Sequence, residues 1–164
     1  MWLLATCIVA PASVVDRVVA VVGDQVVLSS DIALDRDLAP RDPAPVPFWR
    51  RRGAERRQVD AAILRAAAGD VALYQPSDEA ARVRLERLRA TFEDRAGWVA
   101  FLDGWGLDET SMMAVLRRRM VVEAYLQRNL QSPASDPEAW NAECTKLLAD
   151  LAPRVRVRWV PEVE

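Results

Sequence analysis

Val15-Asp16-Arg17-Val18-Val19-Ala20-Val21-Val22-Gly23-Asp24-Gln25-Val26-Val27-Leu28-Ser29-Ser30-Asp31-Ile32 is the stretch from which the fold is read. Val18–Val22 and Val26–Leu28 are β-branched, apolar runs of strand length. Gly23-Asp24 lies between them, and glycine reaches positive φ without the clash of a Cβ, so the pair suits a tight hairpin turn. The first run has few polar breaks, which predicts cover on both faces. Ser29 or Ser30 then caps a helix, with Asp31 in its first turn, where a negative charge favours the helix start. Pro40 stops that helix.

Working outward, residues 39–47 (APRDPAPVP) form a Pro-rich connector, and prolines at this spacing favour extended backbone over helix or central strand. Phe48-Trp49 follows, then Arg50-Arg51-Arg52. The aromatic pair is read as pinning the loop to the core, with the charges solvated; docking on a membrane surface is the alternative. Helical periodicity returns at Ala54, with Val59, Ala62, Ile63, Ala66 and Ala67 on one stripe and Gly69 near its end. Ser77 caps the next helix, where Ala81, Leu85, Leu88 and Phe92 recur on one face and Arg82, Arg84, Glu86, Arg87 and Arg89 fill the others. Trp98–Trp105 reads as a short helix closed by Gly104 and Gly106. Asp108 caps a longer one that runs to about Leu130. Its apolar residues make two stripes, Met112/Leu116/Met120 and Val115/Val122/Leu126, as for a helix packed on two sides or one with a side left for a guest.

Ser135-x-x-Glu138 is a capping box with Pro137 in the first turn of the last helix, whose inner stripe is Trp140, Cys144, Leu147, Leu148 and Leu151. After Pro153, Arg154–Val160 alternates, with Val155, Val157 and Trp159 on one face, the pattern of a strand with one buried side. Such a strand needs a partner, and the N-terminal hairpin supplies it. The expected fold is therefore mainly α with a small antiparallel sheet (α+β): a hairpin, about five helices, and a helix and strand at 135–160 that return to the hairpin and complete a single domain over 14–164.

Composition bounds the function. At 164 residues, 51% hydrophobic and 28% charged, the chain suits one globular domain that buries roughly two-thirds of its unfolded surface. The formal charge of −2 argues against a dedicated nucleic-acid binder, and Arg117-Arg118-Arg119 is read as a solvated helix face. With no histidine, His-based triads, general bases and metal sites are excluded. The acidic pairs Asp78-Glu79 and Asp108-Glu109 sit at helix starts, where capping explains them. No metal or cofactor is implied. The first twelve residues, MWLLATCIVAPA, carry no charge and end in a small-x-small cleavage pattern, so 1–12 reads as the apolar and cleavage parts of a secretory signal, too short to span a bilayer. The basic start of such a signal is missing, which points to a true first Met farther upstream. An apolar N-terminal strand is the alternative. Cys7 lies inside that segment; Cys144 then stands alone and reads as a small buried apolar residue.

The opening stretch, Val15 to Ile32, resembles the start of the SurA-type periplasmic chaperones. Arg57-Gln58-Val59-Asp60-Ala61-Ala62-Ile63-Leu64 is similar to that family's second helix, and Gly106-Leu107-Asp108-Glu109, followed by Leu116-Arg117-Arg118 and Val122-Glu123-Ala124-Tyr125-Leu126, to its later helix pair. The resemblance covers about two-thirds of the chain and implies the non-catalytic core of those chaperones. In that family parvulin-type prolyl isomerase domains interrupt the core, but only about four residues separate the Leu130 helix from the Ser135 cap, so isomerase activity is not carried over. The resemblance implies a periplasmic module that binds unfolded or outer-membrane protein segments in an apolar groove and does no chemistry on them. The expected groove residues are Trp98, Phe101, Trp105, Met112, Met113, Leu116 and Met120, since flexible Met beside rigid aromatics suits varied guests. An assembly subunit that binds one fixed envelope partner is the alternative reading.

Overall fold

The computed structural model describes residues 16–42, 46–51 and 53–161. The expected signal at 1–12, with Cys7, lies outside the described residues, as do Pro43, Ala44 and Pro45 of the connector and Arg52 of the basic run.

The hairpin forms as read. β1 (Val18–Val22) and β2 (Gln25–Leu28) pair antiparallel, with Val22 opposite Gln25 across the two-residue turn. Gly23 takes φ +61° there, a left-handed conformation that side chains resist. β1 carries a bulge: Val18 faces Leu28 and Ala20 faces Val27, so Val19 is the extra residue. The bulge resets the alternation and buries the adjacent pair Val19 and Ala20 together with Val22. Val18 and Val21 are half-buried, so one face of the strand is fully covered and the other only partly.

β3 (Val157–Trp159) returns antiparallel to the other edge of β1, with Ala20 opposite Trp159, Val21 opposite Arg158 and Val22 opposite Val157. Two further backbone bonds extend the zipper: Gly23 N–H donates to the Arg156 carbonyl (2.8 Å) and Val160 N–H to that of Val19 (2.9 Å). The sheet order is β2–β1–β3, and the fold is mainly helical with a small antiparallel sheet. Val155 and Val157 pack on the core, but Trp159, expected on the same buried face, is 42% exposed.

Six helices follow among the described residues: α1 (Ser29–Leu38), α2 (Ala54–Ala68), α3 (Asp78–Arg89), α4 (Arg95–Gly104), α5 (Glu109–Asn129) and α6 (Pro137–Leu151). The cap of α1 differs from the reading. Ser29 and Ser30 do not accept from the helix; both hydroxyls donate to Asp16, which also accepts Ser30 N–H at 3.1 Å. A residue preceding β1 thus caps α1 and ties the base of the hairpin to the helix start. Asp31 accepts the Leu28 N–H at 3.0 Å. Ser77 and Asp108 cap α3 and α5 as expected, while Asp94 caps α4 and Asp136, one residue past Ser135, caps α6. Each accepts a backbone N–H left over in the first turn.

The interior holds two apolar clusters. The first joins the sheet, α2, the second half of α5 and α6, and contains Phe48, Trp49 and Trp140; the aromatic pair does pin the loop. The second joins the ends of α1 and α3 to α4 and the first half of α5 around Trp98. Cys144 is buried in the first, and burial pushes its thiol up to about 11, so it is protonated at neutral pH.

The α5–α6 link is pinned by Glu143, which accepts from Gln131 N–H (2.8 Å), Ser132 N–H (3.1 Å) and the Ser132 hydroxyl (2.9 Å). The Ser132 backbone bond, then its hydroxyl, then Gln131 hold the carboxyl below the ordinary glutamate range. A lowered folded pKa means this contribution is complete above the ordinary value and is lost as pH falls through the lowered one. In an NMR titration the Gln131 and Ser132 amide shifts move together at a midpoint under that of free glutamate, and Glu143→Gln abolishes the movement. A midpoint at the ordinary value refutes the pinning.

Candidate functional site

Six charged side chains are buried between the two clusters, and they alternate in sign along a single path. Arg57 of α2 donates Nε to Asp35 Oδ2 of α1 at 2.8 Å. Asp35 Oδ1 accepts from Arg119 Nη1 of α5 at 2.7 Å. Arg119 Nε donates to Asp42 Oδ2, in the turn after α1, at 2.9 Å. Asp42 Oδ1 accepts from Arg84 Nε of α3, and Arg84 Nη2 donates to Glu123 Oε1 of α5 at 3.0 Å. Trp49 Nε1 donates to the same Glu123 oxygen at 2.9 Å, and its ring lies 3.9 Å from the Arg119 guanidinium carbon. Three guanidiniums face three carboxylates, so the chain of charges is neutral overall. Burial pushes the Glu123 carboxyl up, and Arg84 opposes the shift. Isolated charges in such a place would cost several kcal/mol each; pairing and hydrogen bonding are what keep them there.

These residues correct the sequence reading, which put Arg84 and Arg119 on solvated faces. Both are interior, at 7% and 4% exposure. The three consecutive arginines divide: Arg117 pairs with Asp78, Arg118 is exposed beside a cleft, and Arg119 enters the network.

That cleft, of about 420 Å³, is bounded by Gln25–Leu28 of β2, by Asp31, Leu34, Asp35 and Leu38 of α1, by Trp49 in the connection that precedes α2, by Gln58 and Arg65 of α2, and by Val115, Arg118 and Arg119 of α5. Successive strand residues point to opposite faces, so a space touching four in a row runs along the strand's edge. It is the open edge, since β1 occupies the other side of β2. Because Val22–Gln25 closes the two-residue turn as the hydrogen-bonded pair, Val26 opposite Val21 stands at a non-hydrogen-bonded position. The Val26 N–H and C=O therefore point outward, and its side chain is 49% exposed. Gln25 fixes the strand against α2: its Nε2 donates to the Ala62 carbonyl (3.4 Å) and its Oε1 accepts from Arg65 Nε (2.9 Å).

The expected groove residues lie elsewhere. Trp98, Met112 and Leu116 are interior at 1%, 0% and 0% exposure, which leaves them no surface to offer a guest. Phe101, Trp105 and Met113 are half-buried on the same cluster. Met120 is separate, in a shallow depression beside Leu73, Tyr74 and Ala124. The aromatic side chains, Met112 and Met113 pack in one cluster. The side of α5 that borders the cleft is instead that of Val115 and Arg118.

The chain finds no match among protein-family models, curated proteins or solved structures. Among the described residues no helix is long and apolar enough to cross a membrane.

Proposed function

We propose that this protein is a chaperone-like module of the periplasm, similar in role to the SurA-type core, which holds extended segments of unfolded or outer-membrane proteins and does no chemistry on them. One observation carries the reading: a cleft of mixed apolar and polar lining runs along the unpaired edge of β2. An open strand edge offers main-chain hydrogen bonds to any extended chain, and a flanking cleft receives its side chains; this is peptide binding by strand addition. Main-chain recognition gives breadth of guest, and ordering a flexible guest keeps affinity near micromolar, about −8 kcal/mol.

The test pairs a functional and a structural readout. The protein at several-fold excess suppresses aggregation of an unfolded porin, and Val26→Pro removes that activity while circular dichroism stays unchanged. Proline deletes the outward N–H and is tolerated at a strand edge, where no ladder bond within the sheet is lost. Absence of suppression by the parent protein overturns the proposal. Suppression that Val26→Pro leaves intact removes the β2 edge as its seat, and capture of one stoichiometric partner from periplasmic extract supports the fixed-partner reading instead.

A further inference from the structure

Resting on that reading, we infer that the β2 cleft prefers extended segments carrying an acidic side chain, seated between Arg65 and Arg118. The cleft's own carboxylates are committed: Asp35 accepts from Arg57 and Arg119, and Asp31 accepts the Leu28 N–H. Arg119 is committed to Asp35 and Asp42, but the cleft's other two cations are paired with no carboxylate among the described residues. Arg65 spends Nε on the neutral amide of Gln25, and the exposed Arg118 forms no ion pair among the described residues. Burial first and Arg118 second push the Arg65 guanidinium down to about 10, with Asp31 offsetting only part of this. Both guanidiniums line one cleft, which they share with the apolar side chains of Leu34, Leu38 and Val115. A carboxylate between them relieves their repulsion and takes guanidinium donors that carry no hydrogen bond to another side chain among the described residues. The occupant is a peptide because the same cleft presents the Val26 backbone, so guest main chain and guest side chain are held at one place.

The experiment uses two fluorescent β-prone peptides of about eight residues, blocked at both ends and identical but for a central Glu or Gln, with anisotropy read at low ionic strength. The Glu peptide binds about five-fold more tightly. Arg118→Gln, at an exposed position that leaves the fold intact, abolishes the preference for the Glu peptide over the Gln peptide. Arg118→Glu transfers the preference to a Lys peptide. Equal binding of the Glu and Gln peptides by the parent protein overturns this inference and leaves the peptide-binding reading standing; binding of neither overturns both.

Discussion

Replacing Arg119 by methionine lowers the free energy of unfolding by about 3–5 kcal/mol in urea or guanidinium denaturation. Methionine preserves much of the volume and the contact with Trp49, so the loss is electrostatic. Arg119 bridges Asp35 and Asp42, each at most 5% exposed, and its removal leaves three buried carboxylates with two guanidiniums. Asp35 keeps Arg57 and Asp42 keeps Arg84, but each loses a bond that water cannot replace. Arg118→Met, one residue earlier and exposed, changes stability by no more than about 0.5 kcal/mol. Adding Asp35→Asn to Arg119→Met removes the surplus charge and recovers part of the loss, a coupling that a double-mutant cycle measures. A loss below about 1 kcal/mol for Arg119→Met is the result expected of a solvent-exposed pair, and it would contradict a buried network.

The network also explains why the two clusters hold one arrangement. Ile32 belongs to the first cluster and Leu34 and Leu38 to the second, with Asp35 between them on α1. On α5, Leu116 belongs to the second and Val122 to the first, with Arg119 between. Apolar contacts tolerate sliding, whereas hydrogen bonds of fixed direction do not. The charged chain sets how α1, α2, α3 and α5 meet, and so sets the walls of the cleft that Asp35 and Arg119 share with β2.

What the sequence made legible was local. Gly23 at a turn between valine runs, Ser77 and Asp108 before amphipathic stretches, and the alternation around Val157 each act over a few residues, and those elements stand where their patterns put them. The return of β3 followed from counting strands that need partners. The buried ions were missed because a helix pattern registers a charge but not its partner; Arg119 and Asp35 are 84 residues apart. A signal was present nonetheless. Met112, Leu116, Arg119, Glu123 and Leu126 step along α5 at the spacing of a single face, so the two charges interrupt a buried stripe rather than border it. Arg84 does the same between Ala81 and Leu88 on α3. The cleft escaped notice for a different reason: an open strand edge is a property of sheet order, and only the pairing of β3 with β1, not with β2, leaves it there.

Trp98 decides between a groove and a core at the far end of the molecule. Trp98→Ala costs about 3–5 kcal/mol of stability, the loss expected when a buried indole leaves a cavity that its neighbours fill only in part. The indole stands 5.3 Å from the Phe92 ring and 6.1 Å from that of Phe101, and its Nε1 donates to Glu109 Oε1 at 3.0 Å. It thereby joins the chain after α3, α4 and the first turn of α5. Trp98→Phe, which retains most of the volume, costs less and leaves a folded protein in which binding can be measured. The peptide affinity proposed for the β2 cleft is unchanged in that variant, because the cleft meets this cluster, among the described residues, only through Leu34, Leu38 and Val115. A guest-contacting Trp98 would give the opposite pair of results, with stability unaltered by alanine and peptide affinity lost with phenylalanine. Its 1% exposure favours the first pair: a side chain without surface acts on guests only through the fold it supports.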